Sequence, residues 1–167
     1  TTSANLFHLM RRQITWEFRK PAVVFSPKSL LRHPGVVSPL SEFTKGRFQE
    51  VIGDKYVTAK NVKKVLLCSG KIYFDLLEEQ QKRKPKDIAI LRIEQIYPFP
   101  KKQVDTIIKK YSNPKIVWVQ EEPRNMGAWT FVNDLVDLDL EVVARKVSSS
   151  PATGFSKVHK QEQMEIV

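Results

Sequence analysis

An α/β fold, with a largely parallel, mixed-edge sheet carrying helices on both faces, is predicted by the alternation of strand and helix patterns between residues 62 and 147. Short apolar runs such as Val65-Leu66-Leu67-Cys68 and Lys115-Ile116-Val117-Trp118-Val119 have the length and continuity of strands buried on both faces. Between them lie segments of helical period, and the joints are marked by Gly70, Pro85, Pro98, Pro100 and Pro114. Short connections of this kind imply parallel neighbours with right-handed crossovers.

Residues 2–16 read as a helix. Thr2 or Ser3 can cap its free amides, and Leu6, Phe7, Met10 and Ile14 form its inner face. Ala22 to Phe25 reads as a short buried strand, with Ser26-Pro27-Lys28-Ser29 as its exit loop. From Leu31 to Lys60, Pro34, Gly35, Pro39, Gly46 and Gly53 break up isolated apolar residues, so an ordered linker is expected, with a domain boundary near residue 60.

Beyond it, Val62–Cys68 is a strand and Lys71–Lys84 a helix with Ile72, Tyr73, Leu76 and Leu77 inward. Asp87–Ile93 is a strand broken by Tyr97-Pro98-Phe99-Pro100, and Lys101–Tyr111 is a helix using Val104, Ile107, Ile108 and Tyr111. Lys115–Val119 is a strand, Asn125–Val136 a helix with Trp129, Val132, Leu135 and Val136 inside, and Leu140–Ala144 the last strand. The polar tail 148–167 is expected to order only where it docks.

The 167 residues suffice for one hydrophobic core, or one and part of another. No apolar run approaches the roughly 18 residues of a membrane-spanning helix, so no membrane role is expected. A single cysteine, Cys68, set among apolar neighbours, points to a buried small side chain in a reducing compartment. The first residue is Thr1, no signal-peptide order follows it, and the expectation is that the chain is a fragment. Net charge is +10, spread along the sequence. Charge alone allows a nucleic-acid binder, but zinc-ligand spacing, ribonucleoprotein aromatics and Arg-rich tracts are missing, so no nucleic-acid partner is expected.

Four segments are candidates for function, each with a plainer reading beside it. Cys68-Ser69-Gly70-Lys71 lies between strand and helix, where free amides can hold an anion, but it lacks the glycines of a dinucleotide or P-loop fingerprint and also reads as a simple turn. Lys28 and Arg32, with His33, offer a point charge and a bidentate fork suited to phosphate. They equally suit carboxylates across a domain interface.

Glu121 and Glu122 follow a buried strand, where open α/β sheets place binding crevices. They form either an acid/base pair or, since adjacent strand residues diverge, interface groups together with Arg124. Asn125 can cap the next helix, and Gly127 permits close backbone approach. The histidines His8, His33 and His159 lack metal-ligand spacing, and no metal, cofactor or catalytic constellation is expected within this span.

Read together, Asn5-Leu6-Phe7-His8-Leu9-Met10-Arg11-Arg12-Gln13, Ser26 to Pro34, Cys68 to Lys71, Arg92 to Pro100, Gln120 to Trp129 and Ser150-Pro151-Ala152-Thr153-Gly154 resemble, in order, the C-terminal part of the 2-oxoglutarate dehydrogenase first component. The resemblance implies a transketolase-like C-terminal domain at 62–147, the terminal helix and strand of a pyrimidine-binding domain at 1–25, an ordered linker at 26–61 and a docking tail at 148–167. It also implies that the full enzyme uses thiamine diphosphate and magnesium to decarboxylate 2-oxoglutarate in the citric acid cycle and to pass the succinyl group to a lipoyl arm.

The implied partners are a second copy in a homodimer, the lipoyl-bearing succinyltransferase component and the dihydrolipoyl dehydrogenase component. The cofactor and catalytic residues are expected upstream of Thr1, which leaves this span structural, dimer-forming or regulatory and inactive alone. A nucleotide effector is expected to use Lys28 and Arg32. The expected location is the bacterial cytoplasm, with the mitochondrial matrix as the other choice. A free-standing α/β interaction or nucleotide-effector module is the alternative.

Overall fold

The computed structural model describes residues 1–136 and 139–167, which divide into two compact units, Thr1–Gln49 and Glu50–Val167. In the first, α1 (Ser3–Thr15) is capped by Thr2, whose hydroxyl accepts the Asn5 amide, and α2 (Leu40–Lys45) is a single short helix. The buried residues of α1 are Ala4, Asn5 and His8, while Phe7, Met10 and Ile14 are exposed, contrary to the expected apolar face.

Hydrogen bonds select that polar face. Asn5 exchanges two bonds with the Gln49 backbone at 2.7 and 3.2 Å, and His8 Nε2 donates to the Glu42 carbonyl at 2.7 Å. A Cβ at position 46 would lie 2.3 Å from the Glu42 carbonyl oxygen and 2.8 Å from His8 Nε2, so Gly46 permits this closure.

Ala22 to Phe25 does not form the expected strand, and Phe25 is 94% exposed. An isolated extended run has no ladder partner to satisfy its amides, and none is present among the described residues. Lys28–Arg32 is a short 3₁₀ turn.

The second unit begins at Glu50, earlier than the boundary expected near residue 60. The cause is β1 (Val51–Ile52), which pairs antiparallel with β3 (Ile88–Ile93). Its other strands are β2 (Lys64–Cys68), β4 (Lys115–Pro123) and β5 (Leu140–Arg145), and the five-stranded order is β1-β3-β2-β4-β5, parallel apart from β1.

Period two divides the strand side chains between two faces. Val65, Leu67, Ala89, Leu91, Ile116 and Trp118 form one face, covered by α4 (Lys101–Ile108) through Val104 and Ile108 and by α5 (Trp129–Leu135) through Val132. Cys68, Ile90, Val117 and Val119 form the other, covered by α3 (Ile72–Arg83) through Ile72 and Leu76. Ile166 and Val167 join that second face from the end of α6 (Ser156–Ile166), a helix that the polar tail did not announce.

The run β2-α3-β3 steps to one side of β2, and β3-α4-β4 returns to the other. The sheet therefore changes winding direction between β2 and β4, and a crevice opens beyond their carboxyl ends at such a point.

Leu67 is fully buried and Val147 is 71% exposed. Leu67→Ala is expected to lower stability by about 3 kcal/mol in a denaturant titration, whereas Val147→Ala should change it by less than about 0.5 kcal/mol.

Candidate functional site

The residues at the carboxyl ends of β2 and β4 enclose a crevice of about 470 Å³. Ser69 and Gly70 form one wall, Trp118, Gln120 and Glu122 the floor, and Phe131 of α5 closes one side.

The crevice is shaped by the side-chain amide of Gln120, which is 3% exposed. Its Oε1 accepts the Trp118 indole N–H at 2.9 Å and the Trp129 backbone N–H at 3.1 Å. Its Nε2 donates to the carbonyls of Met126 at 2.7 Å and Pro123 at 3.1 Å, with a longer contact to that of Glu122 at 3.4 Å. One amide thus joins the strand exit, the turn and the first amide of α5.

Gly127 completes the turn. Its φ is +70°, and a Cβ there would stand 2.8 Å from Gln120 Oε1. Both the left-handed backbone and the close approach call for glycine.

Asn125 does not cap the following helix, which starts later than expected, at Trp129. Its side chain instead clamps Ser148, donating to the carbonyl at 2.9 Å and accepting the amide at 3.2 Å. The Gln120 oxygen has taken the capping role.

Glu121 and Glu122 diverge. Glu121 Oε2 pairs with Lys71 Nζ at 2.9 Å on the α3 side, while Glu122 lines the crevice. They do not form a shared acid/base dyad.

Lys71 also approaches Asp75 at 3.7 Å, so the lysine of the Ser69-Gly70-Lys71 turn is held by carboxylates within the chain. Gln163 of α6 donates to Asp75 at 2.6 Å, and Arg145 donates to Gln163 Oε1 at 3.0 Å and to His159 Nδ1 at 2.9 Å. This network, together with the apolar end of α6, fixes the tail to the carboxyl end of the sheet.

Lys28 and Arg32 are exposed in the first unit and make no ion pair among the described residues. Arg124 is exposed, and its backbone amide donates to the Arg145 carbonyl at 2.9 Å. His33 Nδ1 accepts the Gly35 amide at 3.1 Å. No group of three or more His, Cys, Asp or Glu capable of holding a metal occurs among the described residues.

Sequence reasoning missed Gln120, Arg145 and Arg92 as structural polar residues. Arg92, 5% exposed, lies over the Tyr73 ring at 3.9 Å and pairs with Glu94 at 3.5 Å. Its signal was a charge set within the apolar pattern of β3, which demands partners.

Burial pushes the Cys68 thiol up to about 12, against the lowering effect of Arg92, and Glu94 adds to the rise. The protonated form is the one the fold favours. Its stabilising effect is complete below the ordinary value of 9.0 and is lost as pH climbs towards about 12.

The folded protein at pH 8 should therefore resist iodoacetamide at Cys68, reacting only as fast as it unfolds; rapid alkylation without unfolding would contradict this burial. Gly127→Ala should cost about 1–3 kcal/mol in chemical denaturation. Gly154→Ala should stay within about 0.5 kcal/mol, since open space surrounds that position and its φ is not left-handed.

The family model described as 2-oxoglutarate dehydrogenase C-terminal matches residues 37–167. A 2-oxoglutarate dehydrogenase E1 component from Cupriavidus necator is 46% identical over 98% of this chain, and a mitochondrial 2-oxoglutarate dehydrogenase from Caenorhabditis elegans is 47% identical over 100% of it. The E1 component of Haemophilus influenzae is 43% identical, also over 100%.

The chain spans 18%, 17% and 19% of those three relatives. A solved 2-oxoglutarate:ferredoxin oxidoreductase from Magnetococcus marinus aligns with 72% of the chain and 20% of its own at 9% identity and a TM-score of 0.48. Relatives carry both bacterial and mitochondrial names, and no helix among the described residues is long and apolar enough to cross a membrane. The chain belongs to the 2-oxoglutarate dehydrogenase family and corresponds to its C-terminal segment.

Proposed function

We propose that this chain serves as the C-terminal segment of an enzyme that oxidatively decarboxylates 2-oxoglutarate and transfers the succinyl group to a lipoyl carrier. The observation that carries the proposal is identity of 46–47% across nearly the whole chain to proteins named for that activity. The lipoyl-bearing succinyltransferase and the dihydrolipoyl dehydrogenase are the proposed partners, and a homodimer the proposed assembly.

In this reading the segment is a scaffold. The crevice beyond β2 and β4 does not fit thiamine diphosphate, because its lining holds the carboxylate of Glu122 and no lysine or arginine to balance a diphosphate. Nor does the lining include a histidine or cysteine that could form a nucleophile–base pair. The cofactor and its magnesium are proposed to be held by the remaining, larger part of the enzyme.

Glu122 and Arg124 are proposed as interface groups at the strand exit, with Glu121 bound behind them by Lys71. Residues 1–25 are proposed to complete a preceding domain. The exposed Val23, Val24 and Phe25 supply an apolar edge for a strand that acquires its ladder there. Lys28 and Arg32 are proposed to hold the phosphate of a nucleotide effector, as two exposed cations that make no ion pair among the described residues.

The isolated chain should show no heat of thiamine diphosphate binding in calorimetry, while the longer enzyme should bind it and release carbon dioxide from 2-oxoglutarate. Binding by the isolated chain would overturn the scaffold assignment. An unchanged effector response in the longer Lys28→Ala/Arg32→Ala enzyme would remove those cations from the effector site.

A further inference from the structure

We propose that the crevice beyond β2 and β4 seats an arginine side chain presented by a polypeptide segment, with Glu122 as the carboxylate that receives the guanidinium. The seat rests on the interface role proposed above for Glu122 and adds the chemistry of the group that meets it. It lies wholly within the second unit.

Period two along β4 turns Trp118, Gln120 and Glu122 to one side of the sheet, and all three line the crevice. Two of the three are already committed. The Trp118 indole N–H is used by Gln120 Oε1, and the Gln120 amide is used by the Trp129 N–H and by carbonyls of the turn. Glu122 differs from both: it is half-buried, it borders open space, and it makes no ion pair among the described residues. Its neighbour Glu121 faces the α3 side and is paired with Lys71 at 2.9 Å. Of two adjacent carboxylates, one is satisfied within the chain and the other is left at the crevice.

A carboxylate partly withdrawn from water gains from a cation that donates hydrogen bonds to it. No lysine or arginine lines the crevice among the described residues. Lys71, which follows the Ser69-Gly70 wall, is held by Glu121 and Asp75. The cation therefore has to be brought in.

The rest of the lining selects a guanidinium over an ammonium. Phe131 is 38% exposed where it closes one side, and its ring meets that of Tyr97 at 6.2 Å between centroids. Tyr97 is itself 79% exposed, so aromatic surface is open to an approaching group. A planar guanidinium can lie on a ring while its N–H edge meets a carboxylate, which a compact ammonium does less well. The chain already uses this combination on an arginine of its own: Arg92 lies over the Tyr73 ring at 3.9 Å and pairs with Glu94 at 3.5 Å. At the crevice the rings and the carboxylate recur without the guanidinium.

The apolar rim selects a peptide over a free amino acid. Ile96, Ala128 and Phe131 suit the apolar neighbours of an arginine within a chain. Free arginine would bring its own carboxylate towards Glu122, at a Coulombic cost. A volume of about 470 Å³ admits one long side chain together with its flanking groups.

The test titrates the purified chain with acetyl-leucyl-arginyl-leucine amide, with its lysine and citrulline counterparts, and with free arginine. Binding is read by calorimetry and by the Trp118 indole N–H resonance. The arginine peptide should saturate with Kd near or below about 1 mM and shift that resonance. The lysine peptide should bind about fivefold more weakly, and the citrulline peptide and free arginine about tenfold more weakly. Glu122→Gln, a change of nearly equal size, should weaken the arginine peptide about tenfold with circular dichroism unchanged, and Phe131→Leu about threefold. Glu141→Gln, at the opposite edge of the sheet, should bind like the parent.

No saturation by about 10 mM arginine peptide would overturn the proposal. So would equal binding of the lysine peptide, the citrulline peptide or free arginine, binding unchanged in Glu122→Gln, or binding that leaves the Trp118 indole resonance unmoved. A weakened homodimer in the longer Glu122→Gln enzyme, together with no peptide binding by the chain, would overturn the arginine seat while keeping Glu122 at an interface.

Discussion

The carboxamide of Gln120 is the constraint on which the carboxyl end of the sheet depends. A parallel strand that leaves a buried sheet must take its backbone polar groups out of the ladder without stranding them. Here one side chain receives two N–H groups, from Trp118 and Trp129, and gives its own to the carbonyls of Met126 and Pro123. Each bond contributes only about 0.5–1.5 kcal/mol net, but removing their common hub would leave several buried groups unpaired at once. Gly127 exists in that turn because the amide occupies the space a side chain would need.

The same constraint determines which charges remain available. With Gln120 holding the turn, Glu121 is directed to Lys71 and the α6 network, and Glu122 to the crevice. At the carboxyl edge Glu121 is paired with Lys71, and at the amino edge Lys115 is paired with Glu141, while Lys84 and Lys86 make no ion pair among the described residues. Cys68 and Arg92 mark the boundary between core and edge, the thiol held neutral by burial and the guanidinium stacked on Tyr73.

Much of the fold was legible because strands and helices of the second unit announce themselves by period. Val65 to Cys68, Ile88 to Ile93 and Ile116 to Val119 are continuous apolar runs, and Val104 and Ile108 repeat at helical spacing. The joints were less legible. Asn125 has the chemistry of a helix cap, but the bond to Ser148 lies 23 residues away and local sequence cannot reveal it. Ala22 to Phe25 has strand composition without a ladder partner among the described residues. The edge strand Val51–Ile52 is too short to carry a period at all, and it moved the boundary to Glu50. For the candidate site, the Gln120 to Trp129 run was visible as unusual, while the role of Gln120 itself needed the folded geometry, since its partners span the strand, the turn and the next helix.

Amide hydrogen exchange gives the most direct measurement of whether the Gln120 carboxamide holds this edge together. The Trp129 backbone N–H and the Trp118 indole N–H should exchange only at the rate of global unfolding, and in Gln120→Leu both should exchange through local opening at least about 100-fold faster relative to the core amides of Leu67 and Leu91. Fast exchange of those two protons in the parent chain, or equal protection in the variant, would contradict the account.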